Sequence, residues 1–243
     1  MLKKGWNIFY GDLIRNKKVL LQTLVLFGAQ IIVILLGLGI KGIQTRALGV
    51  EDYGLYAFFT TVTGLLIWLY QFAHHDSIKV LLAENKAPEK ERDYFGMGLL
   101  VAIAIGVLFA LTIYGLSFLI ELYFTEAYGQ IFRRFAPLTS VYPLYYMIGD
   151  LSVGSNRIYP SALADVSAKS LFLIPLYILF SRAELNLDEV IFYNLLTLLI
   201  AVIAVYIWLK PRFRDLKANY QILKKKNREF GWHIYFGSVS NQT

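Results

Sequence analysis

The chain has 243 residues, 57% of them hydrophobic and 16% aromatic, with a mean hydropathy of +0.52. Several apolar runs approach the ~20 residues a helix needs to cross about 30 Å of hydrocarbon, which excludes an ordinary soluble domain and marks an integral membrane protein. The net charge of +7 does not point to nucleic acid, because the basic residues gather in loops between apolar runs, and the lack of cysteine excludes disulfides and thiolate metal sites.

Residues 1–18 form a basic amino terminus. The apolar run after it is too long for a signal-peptide core and has no small-residue cleavage site, so it reads as a retained first helix. Six spans are predicted in chain order: Val19–Thr45, Gly54–Leu82, Gly96–Leu122, Ile131–Val153, Ser161–Phe180 and Val190–Leu209. In lipid only a helix satisfies its backbone within one segment, and the alternation of a membrane barrel is absent. The fold class is therefore all-α integral membrane, a six-helix transmembrane bundle over residues 19–209. A basic linker follows at 210–229, and "FGWHIYFGSVSNQT" (230–243) turns apolar again, as the start of an incomplete seventh helix.

In the third span Gly98, Ala102, Gly106 and Ala110 recur every four residues. That makes a small-residue ridge where a neighbouring helix can pack closely. Orientation follows from the basic residues. The amino terminus, the loop with Lys79, Lys86, Lys90 and Arg92, Arg157, and the stretch Lys210–Arg228 hold 18 of the 24. Lys41, Arg46, Arg133, Arg134 and Arg182 fall on the opposite side. The positive-inside rule puts the amino terminus and the 210–229 linker in the cytoplasm.

Enzyme signatures are missing: there is no phosphate-binding G-x-x-x-x-G-K-[ST], no H-E-x-x-H and no G-x-S-x-G. Neither a catalytic residue nor a metal or cofactor site is predicted. His74, His75 and Asp76 in "FAHHDS" invite a metal, but adjacent helical side chains point about 100° apart and cannot converge unaided. An interfacial polar helix end is the simpler reading.

The outer turn "LGVEDYG" (48–54) sets Glu51 and Asp52 at the start of the second helix, where its dipole favours them. Glycines on both sides are expected to permit the reversal. The longer stretch "TRALGVEDYGLYAFF" (45–59) resembles the segment after the first helix in polysaccharide-biosynthesis membrane proteins, the O-antigen and oligosaccharide flippases. These belong to the multidrug/oligosaccharidyl-lipid/polysaccharide exporter superfamily. Arg46, Leu48, Gly49, Glu51, Asp52, Tyr53 and Gly54 carry the likeness. So do the loop "AENKAPEKERDYFG", the turn "GSNRIYPSA" and the basic stretch before "FGWHIYFG". The inner end of span two, "FAHHDSIK", departs from the aspartate-leucine-glycine pattern common in that family.

The resemblance implies a transporter in the cytoplasmic membrane that carries lipid-linked oligosaccharide, usually bound to polyprenyl pyrophosphate, to the outer leaflet. It also implies two six-helix lobes rocking about a polar cavity. This chain would then be the amino-terminal lobe, with membrane lipids, a second six-helix lobe or a homodimer as partners.

For such a cavity Lys169 is the strongest candidate, about eight residues into span five and so roughly 12 Å deep. Asp165 lies one turn earlier, where the two can neutralise each other; a structural ion pair or a snorkelling lysine is the competing reading. Lys41 and Gln44, with Thr45, share a face near the outer end of helix one, for substrate or for interfacial snorkelling. Arg46 is a further candidate that equally suits an anchor for the turn. Asn194 and Thr197 share a face of helix six, as cavity or packing groups. Arg133 and Arg134 read as anchors, and Tyr53, Tyr56, Trp68 and Tyr70 as belt and packing aromatics.

Three alternatives compete. A drug/cation antiporter of the same superfamily needs a buried carboxylate, for which Asp165 and Asp150 are the candidates. A membrane glycosyltransferase needs a larger catalytic loop than the chain offers. A non-catalytic scaffold subunit makes no demand on sequence. The predicted topology is open to single-cysteine labelling in this cysteine-free chain. Position 51 should label from outside and position 225 only from the cytoplasm; the reverse pattern would overturn it.

Overall fold

A computed structural model describes residues 17–70, 72–85, 87–157 and 159–231, without the side chains of 17–19, 72 and 73. Residues 1–16 of the basic amino terminus and the predicted seventh-helix segment from 232 lie outside the described residues. All regular structure among the described residues is helical. In chain order the helices are α1 (Lys17–Ala47), α2 (Val50–Tyr70), α3 (Phe72–Glu84), α4 (Pro88–Tyr123) and α5 (Glu126–Thr139). Then come α6 (Val141–Gly154), α7 (Tyr159–Ser181), α8 (Leu187–Leu209) and α9 (Leu216–Lys226), which runs into a π-helical turn, Asn227–Gly231.

Among these, five helices are long and apolar enough to cross a membrane: α1, α2, α4, α7 and α8. The chain is a multi-pass membrane protein. The fourth predicted span, Ile131–Val153, is not one helix but two, α5 and α6, of 14 residues each. Each rises only about 21 Å, short of a hydrocarbon crossing. The break at Ser140 has a local cause. Pro143 has no N–H to give the Thr139 carbonyl, and Pro137 has none for Arg133. The Ser140 amide instead closes on the Pro137 carbonyl at 3.4 Å, a tighter turn.

The core centres on α4 and α8. Phe95, Ala102, Phe109 and Ile113 of α4 and Val190, Ile191, Leu195 and Val205 of α8 are all but inaccessible. The α4 ridge is a packing surface. A Cβ on Gly106 would stand 2.7 Å from the Ser140 carbonyl oxygen, and one on Gly98 would stand 3.0 Å from the Leu151 side chain. The start of α8 is fixed by a capping box, in which Asn186 Oδ1 accepts from the Glu189 amide at 3.0 Å and Glu189 Oε2 accepts from the Asn186 amide at 3.4 Å.

α1 lies at the edge, with Leu24, Phe27, Ile34, Leu35 and Leu38 exposed. A small second cluster of Ile40, Leu48, Phe172, Leu176 and Val190 joins α1 to α7 and α8. Between α1 and α2 the turn contains Glu51 and Asp52 in the first turn of α2, as expected. The expected role of the glycines does not hold. No described glycine has positive φ, and a Cβ on Gly49 or Gly54 would meet nothing within 4 Å. α1 closes with the Leu48 amide donating to the Gln44 carbonyl, and α2 opens with the Tyr53 amide donating to the Gly49 carbonyl, both at 2.9 Å.

Gly106→Leu should cost about 1–3 kcal/mol through overpacking against Ser140, seen as a lowered melting temperature in detergent. Gly115→Leu, on the same helix with open space around it, should leave that temperature unchanged or raise it. Equal melting of the two variants would refute close packing at Gly106.

Candidate functional site: a cationic cavity between four helices

Four helices wall a cavity of 410 Å³. α1 supplies Gly37, Ile40, Lys41 and Gln44, and α2 supplies Tyr53, Tyr56, Ala57, Thr60 and Thr61. Lys169 and Phe172 come from α7 and Asn194 from α8. A smaller space of 180 Å³ shares Lys169, Phe172 and Asn194 and adds Tyr145, Asp165, Thr197 and Leu198. The larger space is of ordinary ligand-pocket size, on the order of 300–1,000 Å³.

Five of the six sequence candidates meet here. Lys41, Gln44, Lys169 and Asn194 line the larger space and Asp165 the smaller. Arg46 does not line either; it is exposed in the last turn of α1. Arg133 and Arg134 are anchored away from the cavity, ion-paired to Glu121 and Asp188 respectively, with Arg133 also 4.3 Å from the centre of the Phe118 ring.

The expected Asp165–Lys169 pair is not formed among the described residues. Asp165 accepts a hydrogen bond from the Tyr145 hydroxyl of α6. Lys169 Nζ instead donates to the Val33 carbonyl of α1 at 3.3 Å. The ammonium passes 3.4 Å from where a Gly37 Cβ would be, an ordinary van der Waals contact. A Val33 carbonyl already used within its helix is a weak partner compared with a carboxylate, so the lysine keeps most of its charge to offer the cavity.

The polar side chains have capacity to spare. Gln44 is 2% exposed, and its amide faces the Tyr56 hydroxyl, yet Nε2 makes no hydrogen bond. Asn194 Nδ2 donates to the same hydroxyl at 3.1 Å. Two lysines and no carboxylate line the larger space, so it suits an anion. The Tyr53 and Tyr56 rings, 6.5 Å apart, add flat surfaces. The expectation of packing aromatics holds, since both rings pack on the apolar clusters, but they also line the cavity. The available signal was the spacing of Tyr53, Tyr56 and Thr60 at i, i+3 and i+7, which turns one face of α2 toward Lys41 and Gln44.

A second polar cluster joins α3 to α6, with the buried Nε2 of His75 left without a partner. His75 of α3, 2% exposed, pairs with Asp150 of α6 at 2.5 Å, and Lys79 reaches Asp150 at 3.0 Å and Asp76 at 2.7 Å. The two helices touch where a Cβ on Gly154 would stand 2.8 Å from the Lys79 backbone. His75 thus ties α3 to α6, and no cluster of three or more His, Cys, Asp or Glu able to hold a metal occurs among the described residues.

Gln44→Leu removes a buried donor without a partner, so the free protein should melt no lower than wild type; leaving such a group unpaired costs about 1–3 kcal/mol. Any ligand that uses the amide should bind more weakly to this variant. A marked fall in melting temperature would show that Gln44 is a structural bond instead.

The sequence matches the family model described as polysaccharide biosynthesis protein over residues 19–243. No curated protein and no solved structure matches the chain.

Proposed function

Since the chain belongs to the polysaccharide biosynthesis protein family, we propose that it is a flippase, moving lipid-linked oligosaccharide of the polyprenyl pyrophosphate type across the cytoplasmic membrane for surface polysaccharide such as O-antigen. The observation that carries this reading is the cavity with Lys41, Lys169 and the unpartnered Gln44 amide beside Tyr53 and Tyr56. Hydrocarbon excludes both pyrophosphate and sugar. Two ammonium groups favour the first, and amide, hydroxyl and ring surfaces favour the second. The lipid tail can stay in the bilayer throughout. The substrate only changes leaflet, so no bond is made or broken and no catalytic residue is assigned.

The antiporter alternative draws less support at Asp150, which is held by His75 and Lys79; Asp165, hydrogen-bonded by the Tyr145 hydroxyl, lines only the smaller space. We further propose that a second six-helix lobe, from a homodimer or a partner chain, closes the cavity, because alternating access needs a body to rock against.

Purified chain in liposomes with a fluorescent lipid-linked oligosaccharide tests both proposals. Lys169→Ala should lose at least tenfold in rate, the scale of about 1.4 kcal/mol in substrate stabilisation, and Lys169→Arg should keep part of it. Wild-type flipping by a well-folded Lys169→Ala protein would overturn the site. Flipping by a demonstrated monomer would overturn the second lobe.

A further inference from the structure

Beyond the bundle, α9 forms a second basic site. The chain leaves α8 through Lys210 (φ 52) and enters α9 through Asp215 (φ 47), both left-handed. Between them the linker is pinned to the start of α4. The Arg212 amide donates to the Arg92 carbonyl, and Arg92 Nε donates to the Lys210 carbonyl, each at 2.9 Å. Gly96 makes room, since a Cβ there would stand 2.0 Å from the Arg212 carbonyl oxygen. Arg212 also reaches Glu89 at 3.4 Å and Asp93 at 3.6 Å. With so short a linker, α9 begins within about 25 Å of the end of a membrane-length helix.

α9 buries Asn219 and Leu223 against the bundle. Lys217, Gln221 and Lys224 recur on its outer face, and Arg228 continues the row in the π-helical turn. Beside this row lies a cavity of 550 Å³, walled by Tyr220, Lys224, Lys225, Arg228 and, from α3, His74. Among the described residues Lys224 and Arg228 form no ion pair, and Lys225 has only Glu229 at 3.9 Å. Lys226, by contrast, is spent on Glu84 at 2.7 Å.

His74 supplies the more specific feature. Asn227 Oδ1 accepts from Ser77 Oγ at 3.4 Å, which turns Asn227 Nδ2 toward His74 Nε2, 3.3 Å away. Nε2 is therefore the acceptor, and in a neutral ring the proton sits on Nδ1. That Nδ1 is buried and has no partner. The wall of a cationic cavity thus carries a buried donor with no acceptor.

We infer that this cavity binds the phosphate of an anionic phospholipid headgroup from the membrane the chain itself spans. A phosphate oxygen would accept a hydrogen bond from His74 Nδ1–H, and Lys224, Lys225 and Arg228 would balance its charge. The lipid is favoured as the source of that phosphate by position and by the exposed Phe213, Tyr220, Ile222 and Phe230, apolar side chains that only an interface would cover. The short linker keeps all of them at the membrane surface.

The test uses the full chain carrying Gln221→Cys, labelled with a polarity-sensitive fluorophore. It is reconstituted in nanodiscs of phosphatidylcholine with increasing phosphatidylglycerol. The emission should shift as phosphatidylglycerol is added and not in phosphatidylcholine alone. Each basic residue near an anionic surface is worth about fivefold in affinity, so Lys224→Gln/Arg228→Gln should respond on the order of 25-fold more weakly. Lys90→Gln/Arg182→Gln, which removes the same charge elsewhere, should respond as wild type, and so should the charge-keeping Lys224→Arg/Arg228→Lys. An unchanged Lys224→Gln/Arg228→Gln response, an equal shift in both lipids, or a failure of the charge-keeping variant would overturn the proposal. A shift reproduced by inorganic phosphate in phosphatidylcholine discs would overturn the lipid as source. The readout needs no transport, so it stands apart from the flippase reading.

Discussion

In hydrocarbon an apolar side chain gains nothing by leaving lipid for protein, so helices hold together only where backbones come close or polar groups pair. This constraint governs the whole chain. α4 meets it with Gly98, Ala102 and Gly106, which let α5 and α6 settle against it. The break at Ser140 lies over Gly106, where the Ser140 carbonyl occupies the space a side chain would need. From there α6 runs where Tyr145 reaches Asp165 of α7 and Asp150 reaches His75 of α3. One close contact on α4 thus sets the helix from which two carboxylate partnerships reach different neighbours, α7 and α3.

The two polar regions differ in what they leave unused. Around Asp150 the carboxylate is taken up by His75 and Lys79, and Gly154 draws α3 against α6. Breaking those pairs would strand a buried charge, typically a cost of about 3–5 kcal/mol. The cavity between α1, α2, α7 and α8 instead holds its lysines with no carboxylate lining the same space, beside the unbonded Nε2 of Gln44.

Length and composition made most spans legible, because the bilayer fixes how many apolar residues a crossing takes. Lys169, Lys41, Gln44 and Asn194 could be found for the same reason: polar groups inside long apolar runs stand out. What stayed hidden was direction. With apolar lipid on one side and an apolar core on the other, side-chain pattern barely says which face turns inward, so Tyr53 and Tyr56 read as belt and packing residues. Helical spacing allowed Asp165 to meet Lys169, but Tyr145 and Val33, 20 and 136 residues away in sequence, took the two groups apart. The division of the fourth span was written in Pro137 and Pro143, since together they remove two bonds from consecutive turns. An apolar run read by length alone passes over them.

Lys169 joins these lines of reasoning. α1 is the least embedded of the crossing helices, and the cluster around Ile40 and Phe172 fastens its carboxy-terminal half. Nearer the middle of the helix, the Lys169 ammonium on the Val33 carbonyl ties α1 to α7. An ammonium has three donors, and this contact uses one. The others face the cavity, so an anion can be held without releasing α1. The tie and the charge are therefore one group, and α1 forms a wall of the cavity while resting on the residue that makes the cavity cationic. Arginine in that place would keep the charge but bring a wider planar head to the Val33 carbonyl, so it would reproduce the charge better than the tie.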